Sequence, residues 1–195
     1  MPIYRFITQP KFSEPRAGVY LADARALGFN DLRCITIRDL YFIEGQLSQE
    51  KCRQLALNLL TDPVTQTVSW DEMPAPPTPP EPDTVILEVS LRPGVTDPVA
   101  EQIVRAAHEL GLDGVHRAAT GSRFLLEGLK VGQVEKLAKA LLANSVIQHW
   151  KIGSIEPSFP EEVESSGTIE IIPLRKLNDD ELLALSKTRR AALDL

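Results

Sequence analysis

The chain has 195 residues, 43% of them hydrophobic and 25% charged, with a formal net charge of -6, which is the composition of a globular chain and excludes disorder for most of it. No apolar run approaches the roughly 18 residues that a bilayer crossing needs, and MPIYRFITQPKF lacks the basic and apolar regions of a signal peptide, so a cytoplasmic protein is expected. The net acidity argues against a nucleic-acid partner, whose phosphates call for clustered Lys and Arg.

The first predicted strand is Ile3 to Thr8, followed by a helix bearing Ala17, Tyr20, Leu21, Ala24 and Leu27. Two short strands are expected around Ile35-Thr36-Ile37 and Tyr41-Phe42-Ile43. Ser48 then caps a helix with Cys52, Leu55, Ala56 and Leu59 on one face, and Val64 to Trp70 closes the segment. Asp71 to Asp83 carries six prolines in the nine residues from Pro74 to Pro82. Polyproline II geometry, at about 3.1 Å per residue, would stretch this tract to about 40 Å as a stiff strut.

The order then recurs. Val85, Leu87, Val89 and Leu91 alternate as one face of a strand, and Asp97-Pro98 supplies an N-cap and first-turn proline for a helix bearing Val99, Ile103, Ala106, Ala107 and Leu110. Gly111 stops it. Val115 to Ala119 and Arg123 to Glu127 read as strands flanking a hairpin turn at Thr120-Gly121-Ser122. A helix with Val134, Leu137, Ala138 and Leu141 and a last strand from Ile147 to Ile155 complete this second pass.

The two passes superpose in sequence. Pro15 lies over Pro98, Ala24 over Ala107, Leu27-Gly28 over Leu110-Gly111 and Glu44-Gly45 over Glu127-Gly128 at a constant offset of 83. One deletion later, Leu59 to Val64 lies over Leu141 to Val146. The fold class predicted is α+β, two ferredoxin-like βαββαβ repeats with both helices on one sheet face. Tyr41-Phe42-Ile43 and Phe124-Leu125-Leu126 are apolar on both faces, and units of about 70 residues have marginal cores. The repeats are therefore expected to pair as an intramolecular pseudo-dimer. The boundaries read are 1–70 and 84–156 for the repeats, 71–83 for the linker and 157–195 for an acidic linker and docking tail. In that tail Ile169 to Leu174 resembles a short strand, and Asn178 with Glu181 opens a last helix. Residues 1–70 and 84–155 each hold 8 basic and 7 acidic residues, so the acidity belongs to the connectors.

No catalytic constellation emerges. His108, His116 and His149 fall on separate elements without zinc spacing, Cys34 and Cys52 have no adjacent His, and neither a nucleophile elbow nor a P-loop is present. Arg38 to Phe42 and Ser122 to Leu126 do not fit the basic-Gly-aromatic pattern of RNA-recognition strands. Both cysteines read as small buried thiols.

Three stretches, Val89 to Pro98, Leu110 to Val115 and Leu141 to Val146, resemble PurS, the small subunit of phosphoribosylformylglycinamidine synthase. The first repeat looks like a diverged second PurS unit, with Pro10 to Pro15 standing where Pro93 to Pro98 stand. Ile171 to Leu183 with Arg189 to Leu193 looks like the linker before the catalytic region of fused synthases. A truncated piece of such a fusion is favoured over a natural tandem subunit, because the last helix ends without a Gly or Asn stop.

The resemblance implies a non-catalytic assembly module of purine biosynthesis, bridging the synthetase (PurL) and glutaminase (PurQ) parts for ammonia transfer, with homo-oligomers also compatible. No cofactor is expected on this chain, ATP, Mg and glutamine being used by the full complex. Arg92, Arg123, Arg175, Arg189 and Arg190 are the candidate interface residues. The alternative is a regulatory module of ACT type that binds a small molecule between paired units.

Overall fold

A computed structural model describes residues 1–74, 81–159, 172 and 174–189. The chain divides into two compact units, Met1–Glu161 and Glu162–Leu195.

The first unit holds six strands in one antiparallel sheet. The first half contributes β1 (Ile3–Pro10), α1 (Pro15–Ala26), β2 (Cys34–Gly45), α2 (Gln49–Leu55) and β3 (Gln66–Met73); the second contributes β4 (Thr84–Leu91), α3 (Pro98–Glu109), β5 (Val115–Glu127), α4 (Val131–Leu137) and β6 (Gln148–Ile152). Strand order across the sheet is β3-β1-β2-β5-β4-β6. Both α2 and α4 run on into a π-helical turn, Ala56–Leu60 and Ala138–Leu142, at matching places in the two halves.

The hairpin expected at Thr120-Gly121-Ser122 does not form. Each pair of short strands expected in the middle of a repeat is instead one long strand, β2 or β5, and the two long strands pair with each other from Cys34 opposite Glu127 to Gly45 opposite Val115. Gly121 serves packing: a Cβ there would lie 2.7 Å from the Val89 carbonyl oxygen, closer than real Cβ atoms come. Gly28 and Gly111 do take a left-handed backbone, stopping α1 and α3 at φ 91° and 73°, the second as the sequence suggests.

Running straight through has a large consequence. The second half of β2, residues 39–44, pairs with β1, while its first half lies against the second half of β5, which pairs with β4. Each half-sheet is thus a four-stranded ferredoxin-like array, in the order fourth, first, third, second, whose second strand comes from the other half of the chain. The helices follow. One core joins Tyr4, Phe6, Ile43, Cys52, Leu55 and Leu60 to Ala100, Ile103 and Ala107 of α3. The other joins Leu87, Val89, Phe124, Leu126, Val134 and Leu137 to Ala24 of α1 and to Ile35 and Ile37 of β2. The halves therefore exchange a helix and half a strand reciprocally, and neither core is complete without the other half. The pairing expected between repeats is edge-to-edge strand continuation, not sheet face against sheet face.

The register carries the repeat. Asp39 faces Ser122, Arg38 faces Arg123 and Leu40 faces Gly121, while the sequence offset sets Asp39 on Ser122, Arg38 on Gly121 and Leu40 on Arg123. The ladder maps onto itself by a half-turn at the Asp39/Ser122 pair. Asp97 ties the exchanged helix to the through-strand: one carboxylate oxygen accepts from the Ala100 N–H at 3.0 Å as an N-cap, and the other accepts from the Thr120 N–H and hydroxyl, both at 2.8 Å.

Past β6 the chain crosses the sheet face opposite the helices. Ile155 is 3% exposed there and packs with Ile7, Leu40, Phe42 and Ala119, with Phe159 alongside. The outer face of the apolar Tyr41-Phe42-Ile43 strand finds its cover in this exit segment. β3 extends to Met73, three residues beyond the expected end, and β6 ends at Ile152, three residues short of it. The proline tract 75–80 lies outside the described residues, as does most of the short strand expected at 169–174. In the second unit Leu174–Lys176 form a 3₁₀ turn and α5 spans Asp179–Arg189.

Candidate assembly surface

The sheet's outer face is polarised. Over the second half, Glu88 is fully buried and accepts from the Arg123 guanidinium at 2.6 Å through one oxygen and from the Ile155 N–H at 2.7 Å through the other. Over the first half, Arg5 donates to Asp71 at 2.8 Å and to the Ser154 hydroxyl at 2.7 Å. These contacts fasten the exit segment by its backbone and side chain just before Ile155 enters its apolar seat. The Arg117 guanidinium lies 5.2 Å from the Phe159 ring centroid, a cation–π contact, and donates to Glu44 at 2.6 Å across the β2–β5 ladder. That hydrogen bond is the main cause holding the Glu44 carboxyl below its ordinary pKa. Beside Arg123, burial first and the neighbouring guanidinium second lower the pKa of Arg38.

Arg123, read as an exposed interface residue, is instead buried within the unit. At 7% exposure its guanidinium is committed to Glu88 inside the unit. Arg92 is exposed and holds a turn: its N–H donates to the Ile147 carbonyl at 2.9 Å and its Nε to the Ser145 carbonyl at 3.2 Å. Lys11 holds the corresponding turn of the first half, donating from its N–H to the Thr65 carbonyl at 2.8 Å and from Nζ to the Pro63 carbonyl at 2.6 Å. Lys11 was missed in the sequence because the strand before it aligns with its counterpart at a different offset from the helix after it.

Arg175 is exposed on the 3₁₀ turn of the second unit, and Arg189 is the last residue of α5. The Arg189 side chain and Arg190 lie outside the described residues. The capping pair read for this helix is present, Glu181 N–H donating to the Asn178 side chain at 3.0 Å and Asn178 N–H to the Glu181 carboxylate at 2.9 Å.

Buried Cys52 has its thiol pushed up to about 11, by burial first and by Glu72 second. Cys34 is half-buried, against the expectation of a buried thiol. Burial and then the Arg92 charge lower the pKa of His149, whose Nε2 is buried without a partner among the described residues. Among the described residues no three His, Cys, Asp or Glu side chains gather to hold a metal, and no helix is long and apolar enough to cross a membrane.

These features define an α+β module in which two ferredoxin-like half-sheets share strands and helices and the outer sheet face is strapped by the outgoing chain. Residues 84–156 match the family described as PurS: Phosphoribosylformylglycinamidine (FGAM) synthase. The phosphoribosylformylglycinamidine synthase subunit PurS of Mycobacterium leprae (strain TN) is 34% identical over 70 residues, covering 34% of this chain and 89% of that relative. The chain belongs to the PurS family. The match falls on the second half, and the ACT-type alternative is not favoured.

Proposed function

We propose that this chain is an assembly module of phosphoribosylformylglycinamidine synthase in purine biosynthesis, bridging the synthetase (PurL) and glutaminase (PurQ) parts so that ammonia passes between them. The observation that carries the reading is the family match over residues 84–156, together with the alignment of 70 residues of the chain with 89% of a PurS subunit of that synthase. The first half acts as a second, diverged PurS unit. Its element order, the shared register about Asp39 and Ser122 and the paired turns held by Lys11 and Arg92 support this.

On this reading residues 1–70 and 84–156 work as a pair, 71–83 links them and 157–195 docks on the catalytic parts, with Arg92, Arg175, Arg189 and Arg190 among the contacts. The chain holds no cofactor; ATP, Mg and glutamine are used by the full complex, in the cytoplasm.

Reconstitution tests it. Adding the chain to purified synthetase and glutaminase from the same source should raise glutamine-dependent amidine formation and leave ammonia-dependent formation unchanged. No rise in the glutamine-dependent rate refutes the reading.

A further inference from the structure

The two turns that open the edge strands β3 and β6 are built alike to an extent that the sequences hide. In the first half the Asp62 side chain accepts from the Val64 N–H at 2.9 Å; in the second the Asn144 side chain accepts from the Val146 N–H at 3.0 Å. The Asp62 carbonyl takes the N–H groups of Thr65 and Gln66 at 3.2 and 2.8 Å, and that of Asn144 takes those of Ile147 and Gln148 at 3.2 and 2.7 Å. Gln66 and Gln148 reach back to accept from the Asp62 and Asn144 N–H groups at 3.2 and 2.8 Å. Lys11 and Arg92 close each turn from the neighbouring strand, as described above.

All these bonds fix the backbone on either side of one residue, and in both turns that residue is a valine pointing into solvent. Val146 and Val64 are 79% and 75% exposed, more than any other large hydrophobic side chain among the described residues. Phe12, next to Lys11, is 71% exposed, and Ile147, next to Val146, is 41% exposed. A turn tied this tightly loses little conformational freedom on binding, so apolar area buried at its tip goes into affinity. The flanking cations are also not spent. Arg92 uses only its Nε–H on the turn, which leaves both terminal amino groups, and Lys11 uses one of three ammonium hydrogens. The Asp62 carboxylate, by contrast, is occupied within its turn by the Val64 N–H and the Thr65 hydroxyl.

We infer that Val64 and Val146 are a pair of docking knobs, at the two edges of the sheet, for a protein surface that offers two apolar sockets, each rimmed by a carboxylate facing Lys11 or Arg92. This rests on the proposed function and assigns that surface to the synthetase part of the synthase.

The test measures binding of the full-length chain to purified synthetase, and its mass in solution by light scattering. V64D, V146D and the double variant are compared with the near-isosteric V64T/V146T and with V131D, an exposed valine in the first turn of α4. Melting curves check that each is folded. Each single Asp variant should weaken binding about tenfold or more, the double variant further and V64T/V146T in the same direction, with V131D unchanged. Wild-type binding matched by a folded double variant overturns the knobs while leaving the proposed function standing. Failure of the wild type to bind the synthetase overturns both. A wild-type homodimer that the double variant breaks, with synthetase binding intact, makes a second copy the occupant and also refutes the assignment.

Discussion

Removing Arg123 is the sharpest probe of how the unit is held together. Its partner Glu88 has no solvent exposure, so Arg123→Leu strands a carboxylate in the interior, at a cost of about 3–5 kcal/mol. For a unit of this size that corresponds to roughly 6–20 °C in melting temperature. The first half supplies the control. Glu88 sits opposite Arg123 in the β4–β5 ladder, and the corresponding rungs of β1 and β2 are Ile7 opposite Leu40. The double variant Glu88→Ile/Arg123→Leu copies that apolar pair, and replacing a whole buried ion pair by apolar residues is often close to neutral. What it cannot replace is the acceptor for the Ile155 N–H, an orphaned donor costing about 1–3 kcal/mol. Urea unfolding of the wild type, both single variants and the double variant gives the cycle. Arg123→Leu should be the less stable of the Leu-bearing pair, with Glu88→Ile restoring part of the loss. A single variant within about 1 kcal/mol of wild type, or a double variant less stable than Arg123→Leu, refutes a buried pair whose partners depend on one another.

Fragments 1–74 and 81–161 each lack an exchanged helix and half-strand, so neither should fold as a monomer while their mixture regains the native circular dichroism; a folded monomeric fragment by light scattering contradicts the exchange. Glu44 has a depressed carboxyl pKa in the folded state, so its contribution is present above about 4.5 and is lost as pH falls through the folded value. Glu44→Gln should cost below about 1 kcal/mol at pH 7 and flatten that part of the acid-unfolding curve, and an unchanged acid limb argues against the Arg117 contact. Cys52, buried and with its thiol pushed up to about 11, should resist iodoacetamide at pH 8 in the folded protein while half-buried Cys34 reacts first; peptide mass mapping reads the order.

Most of the element positions were legible because they depend on local signals. Asp97-Pro98 and Ser48 cap helices, Gly111 stops one, and alternation marks β4. The long strands were not legible. Thr120-Gly121-Ser122 satisfies a turn locally, and only the approach of the Val89 carbonyl explains why the glycine stands in a continuous strand. Closing a hairpin or passing into the neighbouring sheet makes the same contacts from the same residues, so periodicity has no means of choosing between them. Of the candidate interface arginines, the exposure of Arg92 follows from its place after a strand. The burial of Arg123 depends on Glu88 across the ladder and on a segment 32 residues downstream at Ile155, a relation with no local trace.

The same distant segment accounts for the asymmetry between the halves. Under the half-turn that relates them, Ile7 and Leu40 should have apolar counterparts, yet Glu88 and Arg123 stand there. Among the described residues one outgoing segment crosses this face, and it needs two things from it. Its backbone at Ile155 requires an acceptor where the sheet has none to spare, which Glu88 provides with Arg123 offsetting the buried charge. Its side chains at Ile155 and Phe159 require an apolar seat, which Ile7, Leu40 and Phe42 provide. A strap symmetric in the two halves would need a second exit at the same place, whereas the first half leaves its edge strand β3 into the proline tract. The difference between the two halves on this face is then the footprint of a single strap. Where the strap is absent, as in a variant ending at Ile152, Glu88 and Arg123 would lose their cover and become a solvent-facing pair, with one carboxylate oxygen released from the Ile155 N–H and an open apolar seat beside it.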